Sequence, residues 1–414
     1  MGKVSSVLIA GAGPSGLTLA LLLAKQGIKT TVVDMAPHLN SAPRATHYSW
    51  PAVYELGRAG VLEEVIREGF INDRPVSWRK LDGTLLAQVD IESIPRDKRM
   101  VCLPLNHLTS ILEEHLSKEP SATILWNHKV LGVGQDTSQA WADVETPTGI
   151  QVLKADYVVG CDGANSQIRR SLFGDGDFPG KTWDEQIVAT NAYYDMTKSG
   201  WKDDSAFIVD PEHWGMIAKI RPDGLLRISY GEVPGLSNEE YIARQPMKFK
   251  AILPGNPDPD SFRVVSISPY KVHQRLARSL RVGKILLAAD AAHLCNPFGG
   301  LGLTGGLVDV GNLYDCFLGI HQELVDDTIL DRYSEVRRQK YLDIIDPVSS
   351  ENLRRLTQDA EAADKDALFQ KLRDAKSDPS LSMKLNEGLW SIMHDFRKEY
   401  NAPATGSTTV GRTG

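Results

Sequence analysis

The first residues able to do chemistry are Gly11, Gly13 and Gly16, in G-x-G-x-x-G spacing with Pro14 and Ser15 inside it, followed downstream by Asp34. In such spacing the first glycine allows a sharp turn, the second lets the backbone approach a pyrophosphate, and the third lets a helix pack closely on a strand. A carboxylate placed like Asp34 can accept both hydroxyls of a ribose. Gly11, Gly13, Pro14, Ser15, Gly16 and Asp34 are therefore candidates for binding the adenosine diphosphate half of a dinucleotide. Ser15 is not a nucleophile elbow, because Gly13, Pro14, Ser15 and Gly16 miss the G-x-S-x-G spacing by one residue.

The elements that must position these residues are present on either side. Val7 to Ala10 form an apolar run, Leu17 to Ala24 a stretch of helix formers ending near Gly27, and Thr30 to Val33 a second strand that ends in Asp34. This is a complete strand, turn, helix, strand unit. The start of its helix can hold an anion with unsatisfied N–H groups and a partial positive charge rather than with a lysine.

Two further segments lie far downstream. Tyr157 to Val159 run into Gly160, Cys161, Asp162 and Gly163, then Ser166 and Arg169; Lys284 to Ala288 lead to Asp290, Ala291, Ala292 and His293, then Asn296, Pro297 and the glycine-rich stretch Gly299 to Gly306. With these three ordered motifs the chain resembles the FAD-dependent aromatic hydroxylases, single-component flavoprotein monooxygenases related to para-hydroxybenzoate hydroxylase. The resemblance implies that Gly11, Gly13, Gly16 and Asp34 hold the adenosine diphosphate of FAD and Asp290 its ribityl chain. It also implies that Arg44 lies near the flavin phosphates and ring, and that Pro297 borders the oxygen-transfer pocket. Asp162 belongs to a motif associated with FAD and reduced nicotinamide, although Asp162 and Gly163 can equally terminate a strand, with Arg169 in a structural ion pair. Ala289, Leu301 and Thr304 stand where the family usually has glycine, glutamine and asparagine, and Leu105 where it often has a flavin-contacting polar residue.

The glycine cluster also has its own physics. A helix starting around Gly302 and running through Leu313 would aim its N-terminus at whatever lies on Gly300, Leu301 and Gly302, and that dipole would favour negative charge on a flavin ring there. The reaction the resemblance implies is reduction of FAD by NAD(P)H as a transient co-substrate, addition of dioxygen to give a C4a-hydroperoxide, and hydroxylation of a small phenol-like aromatic, in specialised metabolism or aromatic degradation. With one dinucleotide fingerprint in the sequence, NAD(P)H is expected to dock without a second nucleotide domain. An epoxidase or a Baeyer–Villiger-type oxygenase would carry the same cofactor motifs. A halogenase or reductase and a non-catalytic FAD-binding protein remain further alternatives; the halogenase W-x-W-x-I-P motif is absent.

Substrate-side candidates come from strand-like stretches: Val76 to Ile91, Ile187 to Met196, Ala206 to Val209, Gly215 to Ile220, Leu225 to Tyr230 and Phe262 to Tyr270. They predict an antiparallel sheet over the flavin. Catalytic candidates on it are Tyr194, His213, Arg227 and Tyr230, with Pro297 opposite; Tyr193, Trp214, His47, Tyr54 and His273 are weaker ones. Strand alternation puts Arg227 and Ser229 on one face and Ile228 and Tyr230 on the other, so only one set can face the pocket. His293 is read as support for the flavin loop.

The predicted fold class is α/β: a Rossmann-like FAD-binding domain (1–75, 101–183 and 276–326), an inserted antiparallel sheet domain for substrate (76–100 and 184–275), C-terminal helices (327–400) and a tail expected to be disordered (401–414). The helices are expected to begin at Asp327, break before Pro347, and include Asp366 to Ala375 and Leu381 to Tyr400, serving packing or a homodimer surface. With 414 residues, 42% hydrophobic, the chain supports a large core, and a net charge of -7 without like-charge blocks argues against nucleic acid. Four scattered cysteines (Cys102, Cys161, Cys295 and Cys316) and ten histidines without HExxH spacing suggest no metal and a reducing, cytoplasmic setting. Turn glycines interrupt the apolar N-terminal stretch, which is therefore read as strand and helix rather than as a leader or lipid-anchored arm, and no other stretch is long and apolar enough to span a bilayer.

Overall fold

The computed structural model describes residues 3–41 and 45–400; Arg44 and the tail 401–414 lie outside the described residues. Its first layer is a parallel sheet of apolar strands. Ser6–Ala10 pairs in parallel with Lys29–Asp34 on one side and Tyr157–Gly160 on the other. Ala122–Trp126 extends one edge and Ile285–Leu287 the other, with the short Arg281–Val282 antiparallel beyond it. Strands this apolar need cover on both faces. Helix Pro14–Ala24, buried from Ser15 to Ala24, supplies it on one face and packs against the long helix Leu301–His321. Because the central strands are parallel, Gly11, Asp34, Gly160 and Ala288 all gather at one edge of the sheet, where ligands bind in such folds.

The second layer is an eight-stranded sheet in the order His293–Leu294, Arg263–Leu276, Gly180–Tyr193, Leu225–Glu232, Gly215–Lys219, Ser205–Val209, Val76–Lys80 and Leu85–Gln88. The expected all-antiparallel arrangement needs one correction. Val76–Lys80 runs parallel to Ser205–Val209, because those two neighbours come from distant chain segments and no hairpin dictates their direction. The stretch Val76 to Ile91 is a hairpin whose turn uses Gly83 at φ 90, with the Thr84 N–H donating to Asp82 Oδ1 at 2.8 Å.

The two faces of this sheet are covered differently. Val188, Ile228 and Tyr230 pack under helix Asn238–Ile252, against Tyr241, Phe249 and Ile252. On the opposite face Ile187, Trp214 and Val272 meet Phe298 from the glycine-rich segment and Leu353, Leu356 and Phe369 from the C-terminal helices.

Four features depart from the sequence reading. Helix Asn238–Ile252 and the antiparallel sheet Lys129–Gln135, Ala140–Thr146, Gly149–Ala155 are additional. The expected break before Pro347 is instead a π-helical turn, Tyr341–Ile345, that leads directly into helix Asp346–Leu356. A widened turn accommodates proline without ending the helix, since proline at the first helical turn removes an N–H that needs no partner there. The stretch expected to be helical from Leu381 to Tyr400 is helix Pro379–Trp390 followed by a separate 3-10 turn, Phe396–Glu399. Among the described residues no helix is long and apolar enough to cross a membrane, and no His, Cys, Asp and Glu cluster could hold a metal.

Candidate functional site

The loop from Gly11 to Gly16 is built by close backbone packing. Gly11 sits at φ 104, its N–H donating to the Val33 carbonyl at 2.8 Å. A Cβ on it would overlap the Cys161 carbonyl, and a Cβ on Gly16 would overlap the Gly11 carbonyl. Gly13 is the N-cap of helix Pro14–Ala24, with Pro14 in its first turn, no acidic residue there, and no atom within 4 Å of where a Cβ would project. An open, uncapped N-terminus with its own helix dipole fits the pyrophosphate of FAD. Asp34 orders the loop, accepting the Ala12 N–H on Oδ2 and the Ala36 N–H on Oδ1, each at 2.8 Å. Each carboxylate oxygen keeps a lone pair for a ribose hydroxyl.

Asp162 occupies the strand end beside this loop, and both of its oxygens are engaged. Oδ1 accepts the Ser166 hydroxyl at 2.6 Å, and Oδ2 accepts the N–H groups of Gln167 at 2.6 Å and Ile168 at 3.1 Å. Burial nevertheless raises its carboxyl, because the hydrogen bonds only partly offset desolvation. Arg169 is tied not to a carboxylate but to the Ala291 carbonyl at 2.9 Å and the Ala164 carbonyl at 2.7 Å, with its guanidinium 3.6 Å from the Phe178 ring centroid. This segment therefore clamps the turn that carries Asp290.

That turn, Ala289–Ala291, leaves Asp290 exposed at the carboxyl edge of the parallel sheet. Ala289 adopts φ 56, the left-handed region a glycine would adopt without strain. Its N–H donates to Asp309 Oδ2 at 2.9 Å. Asp309 is fully buried and also receives His293 Nε2 at 2.7 Å and Arg337 Nε at 2.6 Å. Burial would raise this carboxyl, but the charges of His293 and Arg337 outweigh it and hold Asp309 at about 2. His293 thus supports the loop from beneath. Ala289→Gly is expected to stabilise the protein by about 0.5–1 kcal/mol, the left-handed strain relieved being partly offset by glycine's entropy in the unfolded chain. A higher urea midpoint with FAD retention intact would show it; a lower midpoint would show that the Ala289 methyl is needed where it packs near Gly306.

The Pro297 segment is equally fixed. Asn296 accepts the Phe298 N–H at 3.1 Å, Gln274 accepts the Asn296 N–H at 3.0 Å, and Asn352 donates to the Phe298 carbonyl at 3.1 Å. Gly300, at φ 63, then starts helix Leu301–His321 without a capping side chain, so the N–H groups of its first turn face outward from Leu301 and Gly302. Thr304, in the second turn, bonds the Gly300 carbonyl at 3.1 Å and the Ser49 hydroxyl at 2.9 Å. It couples this helix to the segment carrying His47.

The catalytic candidates separate on the two faces of the large sheet. Arg227 stands on the face that meets Phe298, beside Asn191, whose Oδ1 accepts its Nε–H at 3.0 Å. Tyr270, beside Ile187 on that face, is pushed up to about 12 by burial, less the opposing effect of the Arg227 charge. Tyr230 lies on the other face, under helix Asn238–Ile252, where its hydroxyl is buried without a hydrogen bond. The Tyr194 hydroxyl donates to the Pro254 carbonyl after that helix. The His213 ring stands 3.4 Å from Lys248 Nζ of the same helix. Arg227 and Pro297 are thus brought to one side, and Tyr230, Tyr194 and His213 to the other. Among the weaker candidates, Tyr193 bonds Asp223 and His273 bonds Thr182, while Tyr54 packs on Trp390.

His47 is different. Its strand pairs with Val101–Cys102, its Nδ1 lies 2.7 Å from Thr46 Oγ1, and its Nε2 is buried with no hydrogen-bond partner. Burial first, and the Arg227 charge second, lower it to about 4. No motif marks His47 in the sequence, and Asn191 and Tyr270 are equally unmarked; only the sheet register shows that they share a wall with Arg227.

Comparison with known proteins identifies the family and the fold. The profile of the family described as FAD binding domain matches residues 4–346. The chain is 37% identical over 355 residues to para-nitrophenol 4-monooxygenase of Pseudomonas sp. strain WBC-3, covering 85% of this chain and 87% of that one. It is 34% identical to 6-hydroxy-3-succinoylpyridine 3-monooxygenase of Pseudomonas putida over 86% of this chain and 90% of the relative. The crystal structure of p-nitrophenol 4-monooxygenase from Pseudomonas putida superposes with a TM-score of 0.87 at 33% identity, over 95% of this chain and 99% of that one.

Proposed function

We propose, because this chain belongs to the FAD-binding-domain family of flavin-dependent aromatic monooxygenases, that it is an NAD(P)H-dependent hydroxylase of a small phenol. FAD, reduced by NAD(P)H, supplies one oxygen atom from dioxygen for transfer to the ring. The observation that carries the reading is the sheet face opposite Pro297 and Phe298, where one half-buried guanidinium, Arg227, is set among Asn191, Ser229 and Tyr270 in an otherwise apolar wall. A wall of that kind suits a flat ring with one anionic oxygen. The relatives named for p-nitrophenol support the same substrate class.

The residues that would hold FAD are the helix start at Gly13 and Pro14 for the pyrophosphate, Asp34 for the ribose, the Asp290 turn for the ribityl chain, and the N-terminus at Leu301 and Gly302 for the ring. Phe298, Trp214 and Ile187 exclude water beside it; the Trp214 and Phe298 rings meet edge to face at 5.5 Å. The test compares NADPH and NADH oxidation by the FAD-loaded protein with para-substituted phenols and with their methyl ethers. Phenols are expected to accelerate oxidation many-fold while the ethers do not; equal rates with either, or without any aromatic, would contradict the reading.

A further inference from the structure

We infer that Asn191, fastened by Ser266, is a positioning residue that holds the guanidinium of Arg227 ready for the anionic oxygen of the substrate ring. The inference rests on the phenol reading above and names what prepares its anion site. Three side chains stand in a row across the large sheet, since Asn191 on Gly180–Tyr193 lies directly opposite Arg227 on one neighbouring strand and Ser266 on the other. Asn191 is buried, with 4% of its surface exposed. Its Oδ1 accepts the Arg227 Nε–H, and its Nδ2 donates to Ser266 Oγ, each at 3.0 Å. Because a guanidinium only donates, the amide oxygen must face Arg227, and Ser266 takes the other end of the amide.

The backbone is shaped to make this row. Along Arg263–Leu276 the register against Gly180–Tyr193 shifts between Asn191 and Ala192, a β-bulge that skips Val265. Before the bulge Phe262 and Val264 pack under helix Asn238–Ile252, and after it Ile267 does. Strict alternation from Val264 would put Ser266 under that helix as well. The extra residue turns Ser266 to the opposite face, which also carries Tyr270 and Ile187, and so brings it beside Asn191. Arginine is a long side chain with many rotamers, and freezing it as a ligand binds costs affinity. Holding Nε beforehand removes part of that cost for a charged ligand. A neutral ring, which asks nothing of the guanidinium, gains little. The row of Ser266, Asn191 and Arg227 therefore sets affinity for the ionised ring, and not for its aromatic surface, which Ile187, Trp214 and Phe298 receive.

The test is the affinity of the FAD-loaded protein for a para-substituted phenol, read from the change in flavin absorbance without NAD(P)H, at pH values below and above the phenol's own pKa. Wild type is expected to bind more tightly once the phenol is ionised. In Asn191→Leu, similar in shape but without an acceptor, affinity for the ionised form is expected to fall about tenfold while affinity for the neutral form changes less than about twofold. Ser266→Ala leaves Asn191 in place and removes its anchor, so a loss of about threefold confined to the ionised form is expected. It carries the test if Asn191→Leu fails to retain FAD. A loss equal at every pH, or no loss in either variant, overturns the positioning role alone. A wild type that binds no phenol, or binds it no better ionised than neutral, overturns the anion site at Arg227 and the substrate reading with it.

Discussion

Gly16→Ala is expected to weaken FAD binding about a hundredfold, equivalent to roughly 3 kcal/mol, and to lower the stability of the protein at the same time. The added Cβ would overlap the Gly11 carbonyl, and Gly11 cannot retreat because its own Cα faces the Cys161 carbonyl. The helix would have to move instead, but its far side is equally confined. A Cβ at Gly306 would stand 2.9 Å from Ser15 Oγ and 2.8 Å from the Ala289 Cβ, so helix Pro14–Ala24, helix Leu301–His321 and the Asp290 turn are packed as one unit. Gly13→Ala is the control. Its Cβ meets nothing in the protein but occupies the phosphate approach, so it should cost FAD affinity while the stability of the FAD-free protein stays unchanged. Flavin fluorescence titration and urea unfolding of both variants separate the two effects; a Gly16→Ala protein that retains FAD would remove the close-packed loop from the account.

Asp309→Asn is expected to destabilise the protein by about 3–5 kcal/mol, because it leaves Arg337 buried with its charge uncompensated. Asparagine offers one acceptor oxygen where the carboxylate serves His293, Arg337 and the Ala289 N–H together. Arg337 has only neutral partners besides, since its Nη1 donates to the Ile392 carbonyl at 2.6 Å and to Asn312 Oδ1 at 3.4 Å, and its Nη2 has no partner. The same network sets an acid limit. The Asp309 carboxyl lies below its ordinary value of 3.8 in the folded protein, so its contribution is complete above that value and is lost as the pH falls toward about 2. Urea unfolding at neutral pH and across the interval from 3.8 down to about 2 checks both statements; a variant as stable as wild type would show that the triad is dispensable. Because the Asp290 turn rests on Asp309, FAD retention should fall with stability.

The segments proposed to hold the cofactor were legible because each is local in sequence. Turn glycines, a strand-ending acid and a glycine-started helix each imprint a local pattern, and the helix expected around Gly302 begins at Leu301. The substrate side was not. Tyr230 and Arg227 look equally suited in a strand of alternating residues, and only pairing with Asn191 and Tyr270, and the helix over Tyr230, decide which face meets Phe298. That helix, Asn238–Ile252, carried a readable signal, the capping box formed by Ser237 and Glu240, but Pro246 within it obscured the helical pattern. The Asp309, His293 and Arg337 triad joins residues from separate helices and turns, and no sequence spacing reports such a contact. The parallel pairing of Val76–Lys80 with Ser205–Val209 is hidden for the same reason.

The most direct measurement is the reaction of the FAD-loaded protein with NADPH, a para-substituted phenol and isotopically labelled dioxygen, followed by mass analysis of the product. The proposal requires a hydroxylated ring carrying one labelled oxygen atom per NADPH consumed in coupled turnover; NADPH oxidation that yields only labelled peroxide and unchanged phenol would contradict it.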